Sequence, residues 1–554
     1  MKTAAANKKV RSRRSLSRND RFTLGAFVGI PTLLQIVFLW LPTLITIVLS
    51  FTYWNGINVS DIKWAGLANY KNIFFGSPVF YDALKNNVVW LLWFTFLATP
   101  LGILLAYQFD RKIKGHQIYE TIFYIPVVLS LAIIGIIWNF MLQPGGFVQG
   151  VMGRDIGNAL SIWGNYDINS YVIMAIASWR HIGYIMLLYL AGLKAFDSSL
   201  REASAIDGAT EWQTFRKIIF PTMRPVNVII LVITIIDSLR AFDLVYIIYG
   251  TSTAWGGSPV STTIVQNKEY KNKQKVKDNF ISAIIGFFAF VWIFPILWTL
   301  WTSLRPYNDI ISYGVFSWPR HLNLDNYFQA FRVMGLTKYF LNTLYVMVPS
   351  VILILFLGSL IAFVVSRYSF RFNLTLLLFF TAGNMLPTIA TYIPVFWLYI
   401  KIGDLFGNRS LLYNNYFGII LIHVAFQVGF ATFVLSSYMK TVPKEISESA
   451  ILDGCSVFRH YWNVMLPLLR PPLAALGVLM SCWIYNDFFW ALILMSEDSK
   501  RPVTSALRQL QGQYVTDFNL LAAGASIVAA PTIILFLVLR KQFVSGLTLG
   551  ATKG

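Results

Sequence analysis

Charge is scarce in this chain. Asp, Glu, Lys and Arg make up 13% of its 554 residues, about half of the roughly 25% usual for soluble domains. Hydrophobic residues make up 56%. That balance points to a polytopic membrane protein, and the abundant Trp, Tyr and Phe can form its interfacial aromatic belts. Cysteine is nearly absent. Cys455 and Cys482 offer neither a disulfide framework nor a metal cluster, so we expect two small buried residues and no metal site. No G-x-x-x-x-G-K-[ST] occurs, and even the dipeptide Gly-Lys is missing. The chain therefore cannot cradle ATP phosphates by that motif. We expect no catalytic residues and no cofactor of its own.

The formal net charge of +20 is explained by where the cations sit. Lys2, Lys8, Lys9, Arg11, Arg13, Arg14, Arg18 and Arg21 crowd the amino terminus, and Arg111, Lys112 and Lys114 fall between two apolar runs. Lys and Arg beside spans mark the cytoplasmic side and attract anionic membrane lipid, so nucleic acid is not the expected partner. The apolar run at 24–51 is far longer than a signal-peptide core and lacks a small-residue cleavage site, so it reads as a span.

A membrane helix needs about 20 mostly apolar residues. Runs at 24–51, 87–108, 119–142, 170–193 and 226–249 qualify, and then those at 280–302, 344–366, 374–400, 415–437, 472–494 and 520–540. We therefore expect an all-α polytopic membrane protein of two homologous halves, with five spans in the first and six in the second. The boundaries are a basic cytoplasmic tail (1–22), a first half (23–266), a lysine-rich linker (267–279) and a second half (280–554). Pro387 and Pro394 are expected to kink the span at 374–400.

Two halves are implied by an internal repeat, which is sought before any other reading. LREASAIDGATEWQTFRKIIFPTMRP at 200–225 returns as ISESAILDGCSVFRHYWNVMLPLLRP at 446–471. Glu202, Asp207-Gly208, Pro221 and Arg224-Pro225 correspond in register to Glu448, Asp453-Gly454, Pro467 and Arg470-Pro471. Leu67-Ala68-Asn69-Tyr70 similarly answers Leu324-Asp325-Asn326-Tyr327, and Phe242-Asp243 answers Asn486-Asp487. Each long copy reads as a helix, a break at Asp-Gly and a second helix. Gly tolerates positive φ there, and Asp is expected to cap the second helix. Trp212, Phe215, Ile218 and Ile219, like Phe458, Tyr461, Val464 and Met465, recur at amphipathic spacing. That apolar side is large enough to want a protein partner.

The stretch Glu-Ala-Ser-Ala-Ile-Asp-Gly-Ala-Thr-Glu-Trp-Gln-Thr-Phe, closed by Phe-Pro, resembles the cytoplasmic EAA loop of binding-protein-dependent ABC importer permeases. Its details are similar to the carbohydrate branch, the maltose and glycerol-phosphate type, and each half resembles one of two paired permease subunits. The second copy departs from the pattern at Ser449 and Cys455, both small. The resemblance implies a multi-pass protein of a prokaryotic inner or plasma membrane. It also implies two separate ATP-binding cassette subunits, which bind and hydrolyse the ATP, and an extracytoplasmic solute-binding protein. Glu202, Asp207, Gly208, Glu448, Asp453 and Gly454 would couple the chain to the ATPases.

Polar residues inside spans usually face the bundle interior or a watery cavity. The candidates for the substrate path are Trp179, Asp237, Arg240, Asp243, Asn384, Gln427, Asn486 and Asp487, with Arg180, Tyr184 and Trp483 beside them. Asp237 and Arg240, spaced i, i+3, equally fit a pair on one helix face, and the amides equally fit helix-to-helix ties. His181 and His423 read as packing histidines. The expected function is inward transport of a sugar or oligosaccharide. Alternatives are a permease for a non-sugar solute and an ion-coupled secondary transporter. One inconsistency stands out. Loops that share an ATPase pair must lie on one side, yet five spans separate them. The stretch from Gly250 to Val265 is too short and polar to cross. We therefore expect the first half to lack its last span, lost near Val265–Lys268.

Overall fold

In the computed structural model the described residues are 17–56, 59–111, 113–142, 147–148, 166–194, 198–239, 244–245, 277–313, 320–368, 372–384, 386–507 and 517–548. Among them seven helices are long and apolar enough to cross a membrane: Arg18–Leu49, Pro78–Asp110, Asn169–Lys194, Ile284–Ser303, Leu336–Arg367, Tyr416–Thr441 and Asn519–Leu539. Four further pairs of helices qualify only when joined across a bend, which raises the number to eleven. These follow the eleven apolar runs. One bend interrupts the third span of each half, by 101° between His116–Val128 and Leu131–Leu142 and by 92° between Asn373–Gly383 and Thr388–Leu405. In the second half Pro387 stands at the break with an extended backbone, as a residue that cannot donate to the preceding turn allows. Pro394, expected to kink as well, lies within the continuous helix Thr388–Leu405. In the first half Leu129 is extended, and the Ser130 hydroxyl caps the next helix by accepting from Ile133 N–H at 3.1 Å. The other two bends, 78° and 74°, join Glu211–Thr222 to Val226–Leu239 and Val457–Leu468 to Arg470–Tyr485.

The halves interlock through their first helices. Arg18–Leu49 packs on Leu336–Arg367, Thr388–Leu405 and Tyr416–Thr441 of the second half. Thr46 donates to the Ala390 carbonyl at 2.8 Å and Gln35 to that of Phe380 at 3.4 Å. Reciprocally, Lys277–Ser303 packs on the broken span at 116–142 of the first half, and on Phe518–Thr548. The short repeats are staples at the ends of these helices. Asn69 donates to the Ser50 and Thr52 carbonyls while Tyr70 and Ser50 hydroxyls meet at 2.6 Å. Asn326 does the same to Ser303 and Arg305, with Tyr327 on Ser303 at 2.7 Å.

These contacts fix sidedness. Arg18–Leu49 starts beside the second long repeat, where Asp20 accepts from Val457 N–H. Pro78–Asp110 returns to the same side, where Arg111 meets Glu211 of the first repeat at 2.8 Å. Both long repeats therefore lie on one side, with Arg18 and Arg21. Tyr119, just after Arg111, abuts Gly286, while Asn519 at the start of the last helix donates to Thr302 and Arg305. Lys277, which ends the lysine run, thus opens its helix on the repeats' side. Leu244 lines the central cavity, and residues 246–276 lie outside the described ones. The Val265–Lys268 stretch lies outside the described residues.

Two glycines set the spacing inside each half. A methyl group on Gly183 would overlap the Phe123 carbonyl oxygen, and one on Gly429 that of Phe380. Both hold the fourth span against the third, as small residues do where membrane helices must approach closely. Gly429→Ala is expected to cost about 1–3 kcal/mol, the usual range for overpacking. The expected sign is a lower Tm of the detergent-solubilised chain, and an unchanged Tm would show that the contact yields freely.

Candidate functional site

Between the halves lies a cavity of about 540 Å³, within the range of small-molecule sites, ~300–1,000 Å³. Both broken third spans reach it, through Val128–Ser130 on one side and Asn384 on the other. One wall is charged. Arg180, His181 and Asp237 line it, and His181 Nδ1 meets Asp237 Oδ2 at 2.9 Å. Thr99 sits 3.2 Å from His181 Nε2 and 3.0 Å from Thr234, while the Phe94 ring stacks on the imidazole at 4.5 Å. His181 is thus fully partnered. Arg180 lines the same wall and takes no ion-pair partner among the described residues.

The opposite wall carries three amides and the carboxylate of Asp487. With its side-chain amide turned to satisfy both ends, Asn384 donates to the Phe426 carbonyl at 2.6 Å and accepts from Phe430 N–H at 2.8 Å. Gln427 Oε1 and Asn486 Oδ1 are buried without a partner among the described residues. Asn486 Nδ2 donates across the halves to the Val128 carbonyl at 2.9 Å. Asp487 Oδ2 accepts from Ala491 N–H at 3.1 Å and lies 3.8 Å from His423 Nε2. Trp90, Tyr124, Tyr184, Tyr392 and Trp483 supply aromatic surface.

Of the residues singled out in the sequence, Asp237, Asn384, Gln427, Asn486 and Asp487 meet at this cavity, with Arg180, Tyr184 and Trp483. Trp179 does not. It is buried, packs edge-on against Trp138 at 5.6 Å and donates to the Trp292 carbonyl at 2.9 Å, a tie between spans. Arg240 and Asp243 lie outside the described residues, and Asp237 takes His181 as its partner. Thr99, Thr234 and Tyr392 were missed. A single hydroxyl in an apolar helix gives no signal, because it can satisfy itself on its own backbone.

The long repeats fold alike. Helix Ser198–Ile206 ends at Gly208, φ +73°, with Ala209 N–H bonded to Ser204 and Gly208 N–H to Ala205. Lys444–Leu452 ends at Gly454, φ +79°, with Cys455 bonded to Ala450 and Gly454 to Ile451. Each is a Schellman ending, which needs a left-handed residue most easily supplied by Gly. The next helix is capped by Thr210 in one copy and Ser456 in the other, and not by the aspartates. Glu202, Asp207, Glu448 and Asp453 are exposed. So are Ile206 (85%) and Trp212 (65%), and their counterparts Leu452 (80%) and Phe458 (53%). Ile219 and Met465 point inward.

The family model described as "Binding-protein-dependent transport system inner membrane component" matches residues 98–299 and again 354–547. The chain belongs to this family. It is a membrane-embedded permease of binding-protein-dependent ABC transport, with ATPase and binding-protein partners implied by the family. The probable ABC transporter permease YurM of Bacillus subtilis is 29% identical over 52% of this chain and 94% of its own length. The arabinooligosaccharide permease AraQ of Halalkalibacterium halodurans is 30% identical over 49% and 94%. The diacetylchitobiose uptake permease NgcG of Streptomyces coelicolor is 28% identical over 48% and 86%. Nearly whole relatives thus match half of this permease.

Asn486→Ala would take the amide donor from the Val128 carbonyl at the break of the third span. The expected cost is about 1–3 kcal/mol, read as a lower Tm of a chain that still inserts and purifies. Wild-type Tm would mean that this bond between the halves contributes nothing.

Proposed function

We propose that this permease is the translocation path of a carbohydrate importer, with two halves in one polypeptide moving a sugar or oligosaccharide into the cytoplasm. The observation that carries this reading is one cavity between the halves paired with two matching elbows on the basic side. Amides and aromatic faces on the cavity walls suit a polyhydroxylated solute, which needs planar hydrogen-bonding groups and apolar surfaces together. AraQ and NgcG, named for sugar uptake, support the same choice.

Two elbows call for two ATPase subunits. Each elbow presents an exposed apolar pair, Ile206 with Trp212 or Leu452 with Phe458, beside Glu202, Asp207 and Gly208 or Glu448, Asp453 and Gly454. ATP is bound and hydrolysed in the partners; this chain carries no cofactor and no catalytic group. Closure of the ATPases moves the elbows, and the spans shift population between inward- and outward-facing arrangements. A binding protein feeds the far side. The first half, in this reading, lacks the counterpart of Phe518–Thr548. Lys277–Ser303 supports this by packing across the halves as Arg18–Leu49 does, the habit of a first span.

Arg180 favours a second reading of the solute. A guanidinium without a counter-ion among the described residues is costly in a membrane cavity, and a saccharide with an acidic group would neutralise it. Uptake of matched neutral and acidic saccharides, with Arg180→Gln alongside, separates the two.

The test of the function is uptake by proteoliposomes holding this chain, its ATPases and its binding protein. Gly208→Pro with Gly454→Pro should lower ATP-driven uptake about tenfold or more, because proline fixes φ near −65° where both elbows need positive φ. Full uptake by that double variant, or uptake driven by an ion gradient without ATP, would overturn the proposal.

A further inference from the structure

The second elbow is held by the other half. Val457 opens the helix after Gly454, and its N–H is one of those a helix leaves without an internal acceptor. The Ser456 hydroxyl takes Arg459 N–H. The Val457 N–H is taken by Asp20 Oδ1 at 2.9 Å, from the first helix of the first half. Asp20 is itself fixed. Its other oxygen accepts from the Ser17 hydroxyl at 2.8 Å, and Ser17 Oγ accepts from Asp20 N–H at 3.0 Å. Beneath it Phe27 packs edge-on against Tyr461 at 5.3 Å, and Tyr461 meets Ser359 at 2.7 Å. A carboxylate at a helix N-terminus also faces the positive end of the helix dipole.

The first elbow is secured otherwise. Thr210 and Gln213 close a reciprocal capping box there, and Arg111–Glu211 and Arg201–Asp110 tie the elbow to its own half. In the second copy Arg459 occupies the register position of Gln213. A guanidinium cannot accept a hydrogen bond, so that elbow has no capping box, and Asp20 provides a carboxylate from across the halves.

We propose that Asp20 is a positioning residue, through which the first half's amino-terminal helix seats the second elbow and shares its movement. The structural arm stands alone; the coupling arm rests on the importer reading.

Two substitutions remove the same bond from opposite ends. Asp20→Ala removes the acceptor. Val457→Pro removes the donor and puts another apolar side chain in the buried place of Val457. It suits the backbone, since proline is well accepted at the first helical position and Ser456, at ψ 159°, already has the extended conformation that precedes proline. Asp20→Asn keeps an accepting oxygen. The free thiol of Cys455 lies on the elbow, and buried Cys482 serves as control. In the purified full chain, maleimide labelling of Cys455 should rise ~2- to 30-fold in Asp20→Ala and in Val457→Pro, the range set by loss of one helix cap. It should stay near wild type in Asp20→Asn, and the Asp20→Ala/Val457→Pro double variant should label no faster than either single one. In the reconstituted complex, solute imported per ATP hydrolysed should fall in the two bond-removing variants and recover in Asp20→Asn. Unchanged Cys455 labelling, or a double variant that sums the single effects, overturns the seating. Raised labelling with unchanged import per ATP overturns the positioning role. If the wild-type complex shows no ATP-driven import, the importer reading fails, and the labelling arm still decides the contact.

Discussion

The lipid interior offers no water, and the rest of this fold depends on that. Backbone and side-chain polar groups inside it must be satisfied by the protein or must open onto a cavity. Among the described residues, the breaks at Leu129–Ser130 and at Pro387 obey this closely. Both lie in third spans, and both face the cavity between the halves. The Ser130 hydroxyl and the Asn486 amide take up backbone groups at or beside the first break. The cavity and the broken helices are therefore one feature. Breaking a span frees polar groups, and only a cavity-lining position tolerates them.

The same constraint governs the elbows. Where the chain leaves lipid it must turn sharply without stranding helix ends, and the Schellman ending at Gly208 and Gly454 does so with backbone groups alone. Capping is then completed locally in the first half and by Asp20 in the second. Parity is a further consequence of joining the halves in one polypeptide. Separate subunits can each insert independently, but a fused chain with both elbows on one side needs an even number of crossings between them. Among the described residues, five helices or bent helix pairs long and apolar enough to cross lie in that interval.

Much of this was legible in the sequence, for identifiable reasons. The elbows were readable because polar residues stand out in an apolar chain and because Asp-Gly with a closing proline is rare enough to recur visibly. Five of the eight path candidates reach the cavity because an amide or acid in a span has few other places to go. Trp179 escaped the same logic, since an indole fits a helix contact as well as a cavity wall. The Asn-Tyr repeats were visible, but their role as staples was not, because the carbonyls they hold lie about twenty residues away in the chain. The interlocking of first helices was invisible for a similar reason: an apolar run carries no mark of which distant helix it will meet. The caps expected of the elbow aspartates belong to Thr210 and Ser456, because a residue before a left-handed glycine ends one helix and does not start the next.

The comparison of the halves also separates packing from cavity chemistry. Gly183 and Gly429 stand 19 residues before Glu202 and Glu448, respectively, and both press the fourth span onto the third. Two residues earlier the halves part company, His181 in one and Gln427 in the other, and both line the cavity. The close helix contact penalises any side chain, so the duplicated position cannot drift without loss of stability. The cavity position can, and its divergence has a physical use. Two identical halves would offer the same groups to both ends of a bound solute. A solute without a twofold axis can be held in one orientation by unlike walls, Arg180 with His181 and Asp237 on one and three amides with Asp487 on the other, where a symmetric cavity would hold two.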